Sequence, residues 1–324
     1  MRAVRIHELT GPAGLRVDDI PEPTAGPKDI VIDVKACGVN FPDVLISRGQ
    51  YQFKPVPPFI PGGEAAGVVR SVGAQVTGFA AGDRVAATMT YGAFAEQIAV
   101  PDASVVKLPD AVSFEVGAAT LLTYCTTYHA LVDRAAIAAG ETLLVLGAAG
   151  GVGIAAVELG ALLGARVIAA ASTDDKLALC RTRGAAETIN YAREDLRERI
   201  KTLSHGAGVD VVYDPVGGEL AEPALRGTGW KGRYLVVGFA SGSIPKIPLN
   251  LVLLKGCAIV GVFWGVFAMR EPARNREHAE QIFRWIADGK LAPAIDSVLP
   301  FTAATAALQR IEQRQVKGKL VLVP

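Results

Sequence analysis

The stretch Thr142-Leu-Leu-Val-Leu-Gly-Ala-Ala-Gly-Gly-Val-Gly153 constrains this chain more than any other. An apolar run of strand formers ends in a glycine cluster that opens directly into a helical pattern, Ile154 to Leu163, with Gly164 where helices commonly close. Strand, tight turn and helix start follow one another without a linker. Gly150, Gly151 and Gly153 let the backbone approach a ligand closely, and the first N–H groups of the helix then face outward with the positive end of its dipole. Such a turn cradles a diphosphate. The spacing is shifted from the common G-x-G-x-x-G, because Ala148 stands where a glycine is usual and Gly147 lies beside it. The turn Ala149, Gly150, Gly151 and Val152 is therefore the expected dinucleotide contact.

The downstream pattern supplies the context that the motif needs. Strands are expected at Arg166 to Ala171, Glu187 to Asn190, Val209 to Asp214 and Arg233 to Val237. Helices are expected at Asp174 to Arg183, Arg193 to Leu203 and Glu219 to Leu225. Strands alternating with helices imply a parallel, doubly wound α/β sheet, whose ligands sit beyond the carboxyl ends of the strands. An acidic residue about 20 positions beyond the glycines would bind the ribose hydroxyls of NAD and repel a 2′-phosphate. This chain has Ser172 and Thr173 there, with Lys176 one turn on and Tyr191 after the next strand, a set that favours NADPH. Ser172 or Thr173 is also placed to cap the helix, and Asp174 and Asp175 weigh against a phosphate, though carboxylates suit any first helical turn.

At 324 residues the chain exceeds one ordinary core, so two domains are expected. A net charge of +1 with no basic run argues against an electrostatic nucleic-acid binder. Cys37, Cys125, Cys180 and Cys257 form no C-x-x-C, and the N-terminus has no apolar signal core. A reducing cytoplasm is the expected setting. The most apolar stretch, Leu249 to Met269, is broken by Lys255 and leaves too short a run to span a bilayer; it reads as a buried strand. His7, His129, His205 and His278 lack metal-ligand spacing and read as packing or solvent-facing residues.

From Met1 to about Ser113 the chain consists of short strand-like runs, at Met1 to Ile6, Asp29 to Cys37, Gly67 to Val72, Arg84 to Ala87 and Phe94 to Val100, punctuated by Pro and Gly. This reads as a barrel-like or antiparallel domain. Its segments Val34-Lys-Ala-Cys-Gly-Val-Asn-Phe-Pro-Asp43 and Phe59-Ile-Pro-Gly-Gly-Glu-Ala-Ala-Gly-Val-Val69 join Gly82-Asp-Arg-Val85, the glycine turn and the terminal Lys317-Gly-Lys-Leu-Val321 in a fixed order. With these motifs the whole chain resembles the medium-chain dehydrogenase/reductase superfamily, and more closely its zinc-independent, ζ-crystallin-like quinone oxidoreductases. The resemblance implies a GroES-like, mainly β catalytic domain from residues 1–124 and 266–324 around a Rossmann domain at residues 125–265.

The zinc alcohol dehydrogenases of that superfamily carry a zinc-binding Cys where this chain has Asn40, and a zinc-binding His where it has Gly63. Without those ligands, and with no cysteine from Arg84 to Phe94 for a structural zinc lobe, no metal is expected. Glu64 is left with a structural role. Hydride transfer to a quinone or enone then needs only donors near the carbonyl oxygen, and Asn40, Tyr51 and Tyr128 are the expected ones, with Asp43 in the same segment. The tyrosine that relatives sometimes place two residues beyond this aspartate is Leu45 here. Asp43 could equally be a helix-terminus carboxylate, and Tyr51 a loop aromatic packed on Phe53. The resemblance places Thr127 near the nicotinamide, Gly217, Gly238, Phe239 and Phe263 in the cofactor wall, and Arg314 as a second cation for the adenosine phosphate. It also implies a homodimer that pairs the edge strand Ala258 to Phe263. Rival functions are reduction of activated alkenes such as enoyl thioesters, and a non-catalytic NADPH- or RNA-binding role.

Overall fold

The computed structural model describes residues 1–324. The chain divides into two compact units, Met1–Cys125 with Phe267–Pro324, and Thr126–Val266.

In the second unit, six parallel strands lie in the order Glu187–Asn190, Arg166–Ala171, Thr142–Leu146, Val209–Asp214, Thr228–Val236, Ala258–Gly261. Numbered from the first of them along the chain, that order is 3-2-1-4-5-6, with the switch point between Thr142–Leu146 and Val209–Asp214. These two strands bury Leu143, Leu144, Val145, Leu146, Val211 and Val212 completely, as expected where helices cover both faces of a parallel sheet. The helices that follow the strands run from Gly151–Leu162, Asp174–Thr182 and Leu196–Leu203, then Ala221–Arg226 after a short 3-10 turn. Gly164, at φ 83°, closes the first.

Two expectations need correction here. Leu249 to Met269 is not a buried strand. It forms the helix Leu249–Lys255, the strand Ala258–Gly261 at the sheet edge, and the helix Trp264–Arg270. Leu249, Leu253 and Leu254 are each more than 70% exposed, because the apolar residues of this short helix outnumber those its inner face can bury. Thr173 does stand at the N-cap of Asp174–Thr182, but its hydroxyl donates to the Asp175 carboxylate and caps no backbone N–H.

The first unit is mainly β. A mixed sheet runs Ile295–Pro300, Lys319–Val323, Asp29–Val39, Glu64–Val72, Arg84–Thr88, Val105–Lys107, with Gln97–Pro101 also paired to Asp29–Val39 and Arg2–Ile6 paired to Leu15–Asp19 in a separate ribbon. Both chain ends share this core: Lys319–Val323 pairs antiparallel with Asp29–Val39, and Leu320 and Leu322 are fully buried beside Ile30, Ile32 and Cys37. No helix of either unit is long and apolar enough to cross a membrane.

Candidate active site

Strand register assembles a buried ion cluster in the first unit. Gly38 stands opposite Glu64, and Leu320 opposite Val39, so Asn40, Glu64 and Lys319 converge where three strands meet. Lys319 Nζ lies 2.6 Å from Glu64 Oε1, 2.5 Å from Asn40 Oδ1 and 3.1 Å from the Val39 carbonyl. Lys319 is 3% exposed and Glu64 is not exposed at all. The other Glu64 oxygen accepts the Leu122 N–H at 2.8 Å. Gly38 must lack a side chain, since a Cβ would come within 2.4 Å of Glu64 Oε1 and 2.1 Å of the Ala118 carbonyl. A buried ion pair survives only with its remaining hydrogen-bonding capacity filled, as it is here.

Asn40 is part of that filling. Its amide donates to Glu64 Oε1 at 2.8 Å and to the Gly38 carbonyl at 3.2 Å, and its oxygen accepts from Lys319. Both amide hydrogens are thus engaged within the protein. Asn40 begins the short helix Phe41–Ser47, and the Asp43 carboxylate turns back to accept the Asn40 N–H at 2.7 Å and the Gly62 N–H at 3.2 Å. Asp43 is a helix-terminus carboxylate, but a buried one at 1% exposure. Burial pushes its carboxyl up to about 7, against the opposing pull of the two N–H groups and the Lys319 charge. Tyr51 is half-buried and packs at 6.1 Å on Phe53, while its hydroxyl makes no hydrogen bond within the protein. Burial raises the phenol above its ordinary value, with the Asp43 charge adding to the effect. No group of three or more His, Cys, Asp or Glu side chains is placed to hold a metal ion.

In the second unit the glycine turn sits at the switch point. Gly150 is the N-cap of Gly151–Leu162, no side chain caps that helix, and its first turn holds no acidic residue, so the N–H groups of Gly151, Val152 and Gly153 remain for a ligand. Gly147 takes φ 58°, and a Cβ on Gly153 would come within 2.2 Å of its carbonyl. Neither Gly147 nor Gly153 has room for a side chain, which keeps the backbone of the turn close to the helix start. Thr127 is fully buried; its hydroxyl lies 2.9 Å from Tyr213 Oη and 3.3 Å from the Val152 carbonyl, tying it to the same helix start. Thr127 and the half-buried Tyr128 lie between two π-helical turns, Leu121–Cys125 and His129–Arg134. Such turns recur at functional sites.

Gly217 (φ 66°) and Gly238 flank the next strand ends, and Phe239 and Phe263 are 37% and 49% exposed. Beyond Arg166–Ala171 come Ser172, Thr173 and Lys176, with Tyr191 half-buried after the neighbouring strand. Arg314 belongs to the first unit, exposed and at φ 58° just past the helix Ala304–Glu312; Glu312, its expected neighbour in charge, pairs with Arg48 at 2.6 Å. Sequence reasoning missed Lys319 and Tyr213. A lysine heading the apolar run Lys319–Val323 was the legible signal for the first of them.

The sheet order and the uncapped glycine turn define a dinucleotide-binding α/β unit, joined to a mainly β unit made from both chain ends. Residues 151–284 match the zinc-binding dehydrogenase family and residues 26–110 the alcohol dehydrogenase GroES-like domain. The chain is 38% identical to quinone oxidoreductase-like protein 2 homolog of Nematostella vectensis, over 99% of this chain and 88% of that protein. It is 34% identical to quinone oxidoreductase of Pseudomonas aeruginosa, over 100% and 99%. Among solved structures, Escherichia coli quinone oxidoreductase complexed with NADPH superposes with a TM-score of 0.94 at 31% identity, each chain covered completely. The protein belongs to the zinc-independent quinone oxidoreductase branch of the medium-chain dehydrogenase/reductase superfamily.

Proposed function

We propose that this protein is an NADPH-dependent oxidoreductase that reduces a quinone or a similar conjugated carbonyl compound without a metal. The observation that carries this is the uncapped glycine turn at the switch point, in a chain that aligns end to end with quinone oxidoreductases, one of them solved with NADPH. When bound, NADPH supplies the hydride. The backbone of Ala149, Gly150, Gly151 and Val152 holds the diphosphate, and Ser172, Thr173, Lys176 and Tyr191 hold the adenosine end, with Arg314 as a further cation. Thr127, Gly217, Gly238, Phe239 and Phe263 shape the remaining wall and keep water from the reacting end.

The acceptor's carbonyl oxygen gains negative charge as it is reduced and needs a donor. Tyr51 is the donor whose hydroxyl is unspent, and Tyr128 is the second. Asn40 serves by fixing Lys319 and Glu64, and Asp43 by fixing the backbone at Asn40 and Gly62. The catalytic domain is drawn from residues 1–124 and 266–324 and the nucleotide domain from 125–265, a division supported by the two compact units. The edge strand Ala258–Gly261, flanked by exposed Leu249, Leu253 and Leu254, supports a homodimer. Four unpaired cysteines support a cytoplasmic setting.

Steady-state NADPH consumption with 1,4-naphthoquinone, an enone and crotonyl-CoA tests this reading. Quinone is expected to give the highest kcat/KM; a preference for crotonyl-CoA would assign an activated-alkene reductase instead. NADPH binding with no consumption for any acceptor would leave only a binding role.

A further inference from the structure

The end of the second strand carries a feature that the cofactor reading does not use. Asn190 stands opposite Ala171 in the parallel register, so the residues after each emerge side by side: Ser172, Thr173 and Asp174 from one strand, Tyr191 and Arg193 from the other. There, Arg193 Nη2 reaches both oxygens of Asp174, at 2.5 and 2.6 Å, and the buried Asn190 adds its amide at 2.8 Å. Arg193 and Asp174 are 64% and 66% exposed, and the Arg193 Nε and Nη1 groups make no hydrogen bond within the protein.

We infer, resting on the NADPH reading, that Arg193 is a specificity-determining residue for the ribose 2′-phosphate, parked on Asp174 and handed over to the phosphate on binding. Three observations combine. The pair occupies the strand end where this fold meets the ribose 2′ position. The carboxylate that would repel a 2′-phosphate is already neutralised by a planar fork suited to phosphate. The ion pair is exposed, hence weak and readily exchanged for another oxyanion. Asp174 itself is held below the usual carboxylate range by Asn190 first and Arg193 second, so it stays ionised and keeps the guanidinium in place until the phosphate arrives. Lys176 contributes a point charge, whereas Arg193 contributes a directional, two-pronged donor.

Calorimetric titration with 2′,5′-ADP and 5′-AMP, which needs no turnover, tests this on the whole protein. Wild type should bind 2′,5′-ADP more tightly than 5′-AMP. Arg193→Ala should weaken 2′,5′-ADP by about tenfold to a hundredfold, the scale of one charge-assisted bidentate contact. Its affinity for 5′-AMP should not change, which also shows that the variant is folded. Asp174→Asn should tighten 2′,5′-ADP by removing the competing carboxylate, with 5′-AMP again as the internal control. An Arg193→Ala protein that keeps the wild-type preference, while Lys176→Ala loses it, overturns this inference and leaves the NADPH reading intact. A wild type that does not distinguish the two nucleotides overturns both.

Discussion

The two regions that define this protein handle hydrogen bonding in opposite ways. Around Lys319, Glu64 and Asn40 every donor and acceptor has a partner inside the protein, and nothing is left to offer a ligand. At the glycine turn, three helix N–H groups have no side-chain cap, and Gly153 packs too closely on the Gly147 carbonyl to carry a side chain. Polar residues at a family's site positions are therefore not all free to contact a ligand: Asn40, Glu64 and Lys319 spend their hydrogen bonds on one another and on the scaffold. Within the first unit the same contrast separates Asn40 from Tyr51, whose hydroxyl is uncommitted.

The largest effect should come from breaking the saturated cluster. Lys319→Met leaves Glu64 charged and buried without its partner, and is expected to cost about 3–5 kcal/mol in urea unfolding, as for other broken buried pairs. A loss below about 1 kcal/mol, the surface-pair scale, would mean that the cluster is solvated in solution. Next, Tyr51→Phe removes the free donor and should lower kcat by about a hundredfold, the lower end for losing one oxyanion donor, with the NADPH Kd unchanged. An unaltered kcat would shift the donor role to Tyr128. Gly153→Ala forces a methyl against the Gly147 carbonyl, and should cost about 1–3 kcal/mol of stability, as overpacking does, while weakening NADPH binding. A stable variant with normal NADPH affinity would show that the turn is not a tight cradle.

The last effect concerns pH. The folded Asp43 carboxyl, at about 7, lies above its unfolded value of about 3.9, so the native state holds that proton more tightly. Its contribution to stability is full at low pH and falls as pH rises through the window from about 4 to 7. Asp43→Asn lacks this slope, so the stability gap in favour of wild type should widen as pH is lowered from 8 to 5. A gap that stays constant over that range would place the titration elsewhere.

Much of the second unit was legible in the chain. The strands Arg166–Ala171 and Val209–Asp214 fall where largely apolar runs of strand formers end at Ser and Asp-Pro, because a buried parallel strand leaves a nearly continuous apolar signature. Leu15–Asp19 and Ile295–Pro300 were not legible, since strands exposed on one side mix charges with apolar residues and carry a weak period. Leu249–Lys255 misled for the opposite reason: apolar content reports burial only when a neighbour exists to cover it, and here Leu249, Leu253 and Leu254 face outward while Leu251 alone of the leucines is buried.

Local sequence alone determined the glycine turn, because φ above zero and the exclusion of side chains are properties of the residues themselves. It likewise determined the absence of the zinc-ligand pair at Asn40 and Gly63. Only the tertiary structure decided that Lys319 serves Glu64 from 255 residues away and that Arg193 sits on Asp174. Those partners are chosen by strand register, and register is set by which faces the whole sheet buries, a quantity that no short stretch of the chain contains.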